Sequence, residues 1–128
     1  MIMKIFISHS SDFDYKNELY IPIRNSILNQ ENEIILPHET YVDPMKIPSK
    51  DVIETCNLII SDISKTSFWV WIELWWANIY NIPILCIYKK WTIFSKSLSV
   101  ICDNFIEYDN KIDMLIKIEK FIKKYDKN

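Results

Sequence analysis

The chain contains no glycine at all. At ordinary usage, about nine would be expected in this length. Asparagine can take over some turns that need a positive φ. No other residue replaces glycine where backbone must lie against a ligand. Cysteine is also scarce: Cys56, Cys86 and Cys102 are odd in number and form no CxxC pair. With only His9 and His38 as imidazoles, that argues against a zinc site, and no metal is expected. The cysteines read as free, mostly buried thiols of a reducing cytoplasm. No apolar run reaches the roughly 18 residues of a membrane span. The start, "MIMKIFIS", lacks the apolar core and small-residue cleavage site of a signal peptide. A net charge of −2 gives no footprint for nucleic acid or an acidic membrane. The C-terminal lysines of "KIEKFIKKYDKN" read as a solvated helix face.

What is present suits one folded unit, 128 residues long and 49% hydrophobic. "KIFIS" (4–8), "EIILP" (33–37), "NLIISDIS" (57–64), "IPILCIYKK" (82–90) and "FIEY" (105–108) read as strands. Between them, 14–30 has helical spacing at Leu19, Ile23, Ile27 and Leu28, with Pro22 as a kink or a late start. Residues 38–48 read as a loop, and Ser49 as the N-cap of a short helix. Residues 69–80 form a further helix and 95–101 a short one, while 111–125 is an amphipathic closing helix. This alternation predicts a single flavodoxin/Rossmann-like α/β domain over 1–128. Its five-stranded, mostly parallel sheet carries helices on both faces. Ligands of such sheets bind beyond the carboxyl ends of the strands. Those ends hold Ser8, His9 and Ser10, then His38, then Asp62, Ser64 and Ser67, then Thr92 and Ser95.

Glu73 stands alone as a carboxylate in "SKTSFWVWIELWWAN" (64–78), which holds four of the five tryptophans. Placed about one turn into its helix, it would lie near free N–H groups and the positive end of the dipole. These would keep it ionised, as a nucleophile requires. Ser67, just before the helix, is placed to hold a phosphate with the neighbouring N–H groups. The competing reading is a structural glutamate within a helix.

The stretch resembles the nucleoside 2-deoxyribosyltransferase superfamily, especially its 2′-deoxynucleoside 5′-phosphate N-hydrolase branch. That family has an apolar strand followed by Ser-x-Gly-x-Gly-x-Glu-Leu-Gly, an alanine, and a further strand. Here "NLIISDIS" is followed by "SFWVWIELW", Ala77 and "NIPILCIY". The resemblance runs in element order over about residues 3–125 and is sharp over 57–98. It implies that Glu73 attacks the anomeric carbon and that Ser67 binds a 5′-phosphate. Ser95 would reach the phosphate of a neighbouring subunit, which implies a homodimer or larger homo-oligomer. His38, His9 and Ser8 would lie near the ligand. Direct counting puts Ser49 at the second acid's place, and Asp51 if two residues are missing; Asp51, the one with a carboxylate, is favoured as the second catalytic acid. Ile5 stands where the family often offers a tyrosine. The substrate would be a nucleoside or its monophosphate, with no cofactor.

Trp69, Trp71 and Trp75 fall on the three motif glycines, and Trp91 on a fourth. UGA is read as Trp in one genetic code and as Gly in another. One expectation is therefore that these four are glycines in the living protein; the other is a true tryptophan plug that fills the site and ends catalysis. "FISHSS" and "SFWVWIEL" also resemble the TIR domain, whose Ser-x-Trp-x-x-x-Glu-Leu pattern is met by Ser67, Trp69, Glu73 and Leu74. That resemblance implies an NAD-cleaving enzyme or an adaptor. It accounts for only one of the tryptophans, so the deoxyribosyl reading is preferred.

Overall fold

The computed structural model describes residues 2–41 and 47–126. Five strands form one sheet: β1 (Lys4–His9), β2 (Glu33–Ile35), β3 (Leu58–Asp62), β4 (Ile84–Lys89) and β5 (Asn104–Tyr108). Their order is β2-β1-β3-β4-β5, and every pairing is parallel. The α/β expectation is met, with the sheet wholly rather than mostly parallel.

Strand alternation sorts the side chains into two cores. Ile5 and Ile7 of β1 point to one face, with Leu58 and Ile60 of β3. There they meet Leu19, Ile23 and Leu28, and Met114, Ile118 and Ile122 of α6 (Lys111–Asp126). Phe6 and Ile59 point to the other face. It is covered by Ile53 of α4 (Ser49–Glu54) and by Val70, Leu74 and Ala77 of α5 (Phe68–Ile79). The chain winds from β1 outward in both directions, so the crevice of the sheet opens between the carboxyl ends of β1 and β3.

Several local expectations are corrected. The helix read over 14–30 is three pieces: a π-helical turn at Lys16–Tyr20, α1 (Ile21–Arg24) and α2 (Ile27–Glu31). Pro22 sits at the start of α1, where its missing N–H costs nothing, and Asn25 and Ser26 interrupt the run. The expected loop over 38–48 begins with a helical turn, α3 (Pro37–Thr40), and its middle, 42–46, lies outside the described residues. The short helix near 95–101 is a 3-10 turn at Lys96–Val100.

Among the described residues, two have positive φ: Asn81 at 58° and Trp91 at 73°. Asn81 closes α5. Its N–H bonds the Asn78 carbonyl (3.2 Å), while the Ile82 N–H bonds the Ala77 carbonyl (2.8 Å), a left-handed helix stop. Asparagine tolerates that geometry, as expected for a chain without glycine. Tryptophan does not. Trp91 is 87% exposed, so burial of its ring contributes little to offset the strain. Trp91→Gly should therefore raise the unfolding free energy by up to about 1 kcal/mol, while Trp91→Ala should not. Urea melts of the three proteins would show it, and an equal or lower midpoint for the glycine variant would remove the strain.

Candidate active site

The buried face of α5 runs Val70, Glu73, Leu74, Ala77, so Glu73 occupies a place in an otherwise apolar stripe. It is 6% exposed. A carboxylate there needs hydrogen bonds, and two hydroxyls meet it. Ser8 shares the face of β1 with Phe6 and donates to Glu73 Oε1 at 2.9 Å. Ser49, buried at the start of α4, supplies the second bond. Three elements thus converge on one acid.

This corrects three expectations. Glu73 lies in the second turn of α5, beyond the free N–H groups, and helix position does not hold it ionised. Burial pushes its pKa up to about 7, against the pull of the Ser49 and Ser8 hydroxyls. Asp51 is exposed on α4 and takes no part in the cavity at Glu73. The residue that direct counting indicates, Ser49, stands there instead. Ser49 does not cap α4 either: Pro48 occupies the N-cap position, and the hydroxyl turns inward to Glu73.

The cavity around Glu73 is walled by His9, Ser11, Pro37, His38, Ile47, Ser49, Ser67 and Trp69. Ser67 is the N-cap residue of α5, in extended conformation, and its hydroxyl makes no capping bond. It is half-buried and faces the same space as Glu73 and His38. The cavity holds only about 30 Å³, room for a water or two and no more. Of the four tryptophans at the motif positions, Trp69 alone lines it. Trp75 is exposed on the outer side of α5, Trp71 is half-buried against the core, and Trp91 stands in the turn after β4.

The histidines differ in freedom. The Tyr20 hydroxyl accepts the His38 backbone N–H at 3.0 Å. Its own hydrogen then goes to His9 Nε2, 2.7 Å away. His9 Nδ1–H donates to the Ser10 carbonyl at 2.9 Å. His9 is stacked on Tyr15 (4.6 Å between centroids), and burial drives its pKa down to about 4. It is a neutral wall, not a proton carrier. His38 is half-buried, its pKa lowered by burial, and its ring is open to the cavity. Ser95 is exposed and caps its own 3-10 turn through the Ser97 N–H (3.3 Å), outside the cavity of its own chain. Sequence reasoning did not find Tyr20, whose role rests on a break in the helix that no periodicity reveals. Among the described residues, Ser61 Oγ is the one buried side-chain polar atom without a partner, and it is paired in register with Ser8.

No family model and no curated protein matches the chain. Its fold is similar to that of the CMP N-glycosidase BcmB of Clostridium botulinum, with TM-score 0.65 and 18% identity over 91% of this chain and 98% of that one. It is similar to a conserved protein of Enterococcus faecalis, with TM-score 0.64 and 16% identity over 94% and 99%. A signal receiver domain from Vibrio parahaemolyticus matches at TM-score 0.56 and 15% identity over 97% and 92%. The fold expected from the sequence is therefore found, and an N-glycosidase shares it. Among the described residues, no helix is long and apolar enough to cross a membrane.

The raised pKa of Glu73 has a consequence for stability. Between about pH 4.5 and 7 the folded acid keeps a proton that the unfolded acid has released, so its contribution falls as pH rises. His9 acts in the opposite sense between about pH 4 and 6.5. Comparison with Glu73→Gln isolates the acid. The glutamine variant should gain on the parent from pH 5 to 8, by up to about 3 kcal/mol. Denaturant titrations at both pH values would measure this, and a constant gap would mean that Glu73 has an ordinary pKa.

Proposed function

We propose that this protein cleaves the N-glycosidic bond of a nucleoside or its 5′-monophosphate, with Glu73 as nucleophile. The observation that carries the reading is the one carboxylate that lines the small cavity, buried, gripped by two hydroxyls and facing Ser67 and His38 at the carboxyl ends of the strands. A fold shared with a CMP N-glycosidase supports it. A Glu73 oxygen bonds to the anomeric carbon as the C–N bond breaks, and the base departs with the bonding pair. Water then adds to the same carbon, freeing the carboxylate and one proton. His38 is the open imidazole placed to accept it. A second base in place of water would make the reaction a transfer. Ser67 binds the 5′-phosphate. Near pH 7 only part of Glu73 is ionised, so the rate should rise with pH through that region.

As written, the cavity admits no sugar, and Trp69 is the obstacle. We infer that positions 69, 71, 75 and 91 are glycine in the functioning protein, encoded by UGA. The left-handed backbone at Trp91 supports this, because the turn has the geometry that glycine favours. Glycine at 69 would remove an indole from the cavity. The variant with glycine at all four positions should release free base from deoxynucleosides or deoxynucleotides. Adding Glu73→Gln should reduce release at least about a thousandfold, on the scale of a lost nucleophile. Chromatography of the products decides it, with NAD in the substrate panel. A folded four-glycine variant without turnover would sink the reading; cleavage of NAD alone would replace it with the TIR-like one.

The homodimer implied by the resemblance finds support in α5. Its outward residues Phe68, Ile72 and Ile79 are exposed and apolar, and the only charge on the helix is the buried Glu73. A second copy packed on this face would bury it and bring Ser95 toward the partner's site. Ile72→Asp should convert a dimer to a monomer in sedimentation velocity. A parent chain that sediments as a monomer at 100 µM would remove the dimer, with the test concentration set at roughly the weak end of specific association.

A further inference from the structure

A much larger concavity lies on the same edge of the sheet, beyond β3, β4 and β5. It holds about 410 Å³, within the roughly 300–1,000 Å³ typical of small-molecule sites. Ser64 and Lys65 line it from the turn after β3, Lys89, Lys90 and Thr92 from the end of β4, and Tyr108 from the end of β5. Phe13 closes one side. The floor is stiff: Asp62 is fully buried, accepts the Tyr108 hydroxyl at 2.6 Å and accepts the Ser64 N–H at 2.8 Å. Ser64 Oγ in turn accepts the Lys89 N–H at 2.8 Å.

The charges are unevenly committed. Lys90 pairs with Asp109 at 3.8 Å, and Asp14 is occupied by Asn17, whose amide donates to it at 2.9 Å. Neither Lys65 nor Lys89 has an ion pair among the described residues, and both face the cleft. Two uncommitted ammonium groups beside the Ser64 hydroxyl suit a phosphoryl group, whereas the Tyr108 and Thr92 hydroxyls already donate to Asp62 and to the Lys89 carbonyl. Phe13 offers a flat apolar wall for a ring, and Glu18 an acceptor for a hydroxyl or amine.

We propose that this cleft is a second ligand site, separate from the Glu73 cavity, for a phosphorylated ring compound of nucleotide size. Lys65 and Lys89 hold the phosphoryl group, and Phe13 stacks on the ring. Replacing Trp91 by glycine removes a rim wall and leaves these groups in place. The turn over 63–67 connects the sites, because Ser64 lines the large cleft and Ser67 the small one.

The test is calorimetric titration of CMP, ribose 5-phosphate and inorganic phosphate into the full chain as written. CMP should bind more tightly than ribose 5-phosphate, and that more tightly than phosphate. Lys65→Ala with Lys89→Ala should weaken CMP at least about tenfold, the loss of one charge-assisted hydrogen bond or more. Both lysines are exposed, so the fold should survive, as an unchanged melting curve would verify. Ser67→Ala and Glu73→Gln should leave CMP binding as it was. No heat at millimolar CMP would overturn the site. So would binding that falls with Ser67→Ala and ignores the lysines, since the ligand would then sit beside Glu73. Equal affinity for CMP and phosphate would overturn the role of the ring. None of these outcomes bears on turnover by the four-glycine variant, so the two readings fail independently.

Discussion

The hydrogen bonds from Ser8 and Ser49 to Glu73 are the constraint on which the site depends. A carboxylate in an apolar helix face costs stability unless hydroxyls surround it. Here they come from elements far apart in sequence, β1 and α4, so their register must bring them to one point on α5. Ser8 is aimed there because it follows Phe6 by two residues on the same face of β1, the face α5 covers. Ser49 is aimed there because α4 packs beside α5. The strength of this grip is set by its context. Two neutral hydroxyls lower the pKa less than burial raises it, so the acid is poised near neutrality rather than held charged.

The tryptophans sort into three environments, and each bears on the choice between Trp and Gly in a different way. At 69 the question is volume, since an indole lines the small cavity at Glu73. At 71 and 75 the environments differ, since the Trp75 ring is exposed on the outer side of α5 whereas Trp71 is half-buried and packs against the core. At 91 the question is backbone geometry, since φ is 73°. Of these, only the first touches the cavity at Glu73, and only the last sets a tryptophan in a backbone conformation that glycine favours.

Much of this was legible in the sequence, and the limits are physical. Apolar runs separated by helical periods fix the order of elements, and a charged residue within the stripe Val70, Glu73, Leu74, Ala77 marks a carboxylate that the fold buries. The pKa of Glu73 was not legible, because it depends on how many N–H groups reach it and how much apolar volume surrounds it. The assignment of Asp51 over Ser49 followed charge, whereas the structure brings a hydroxyl. His9 looked like a ligand group because it ends β1; its hydrogen bonds to Tyr20 and Ser10 use both ring nitrogens. Those bonds arise from the broken helix at 16–24, which periodicity reads as continuous.

A fold shared with a signal receiver domain as well as an N-glycosidase cannot by itself name a reaction. What distinguishes this chain lies at one edge of the sheet. Two concavities flank the ends of β1 and β3: one small, acidic and closed by Trp69, the other open and lined by lysines. The turn between them is anchored at Asp62 by the Ser64 N–H, and it leads directly into Ser67 and α5. Because Asp62 is fully buried and bonded to Tyr108 as well, the turn cannot shift at Ser64 without disturbing β5. Residues 65–67 carry the chain from that anchor to the start of α5, so Lys65 at the open cleft and Ser67 at the small cavity stand two residues apart on one turn.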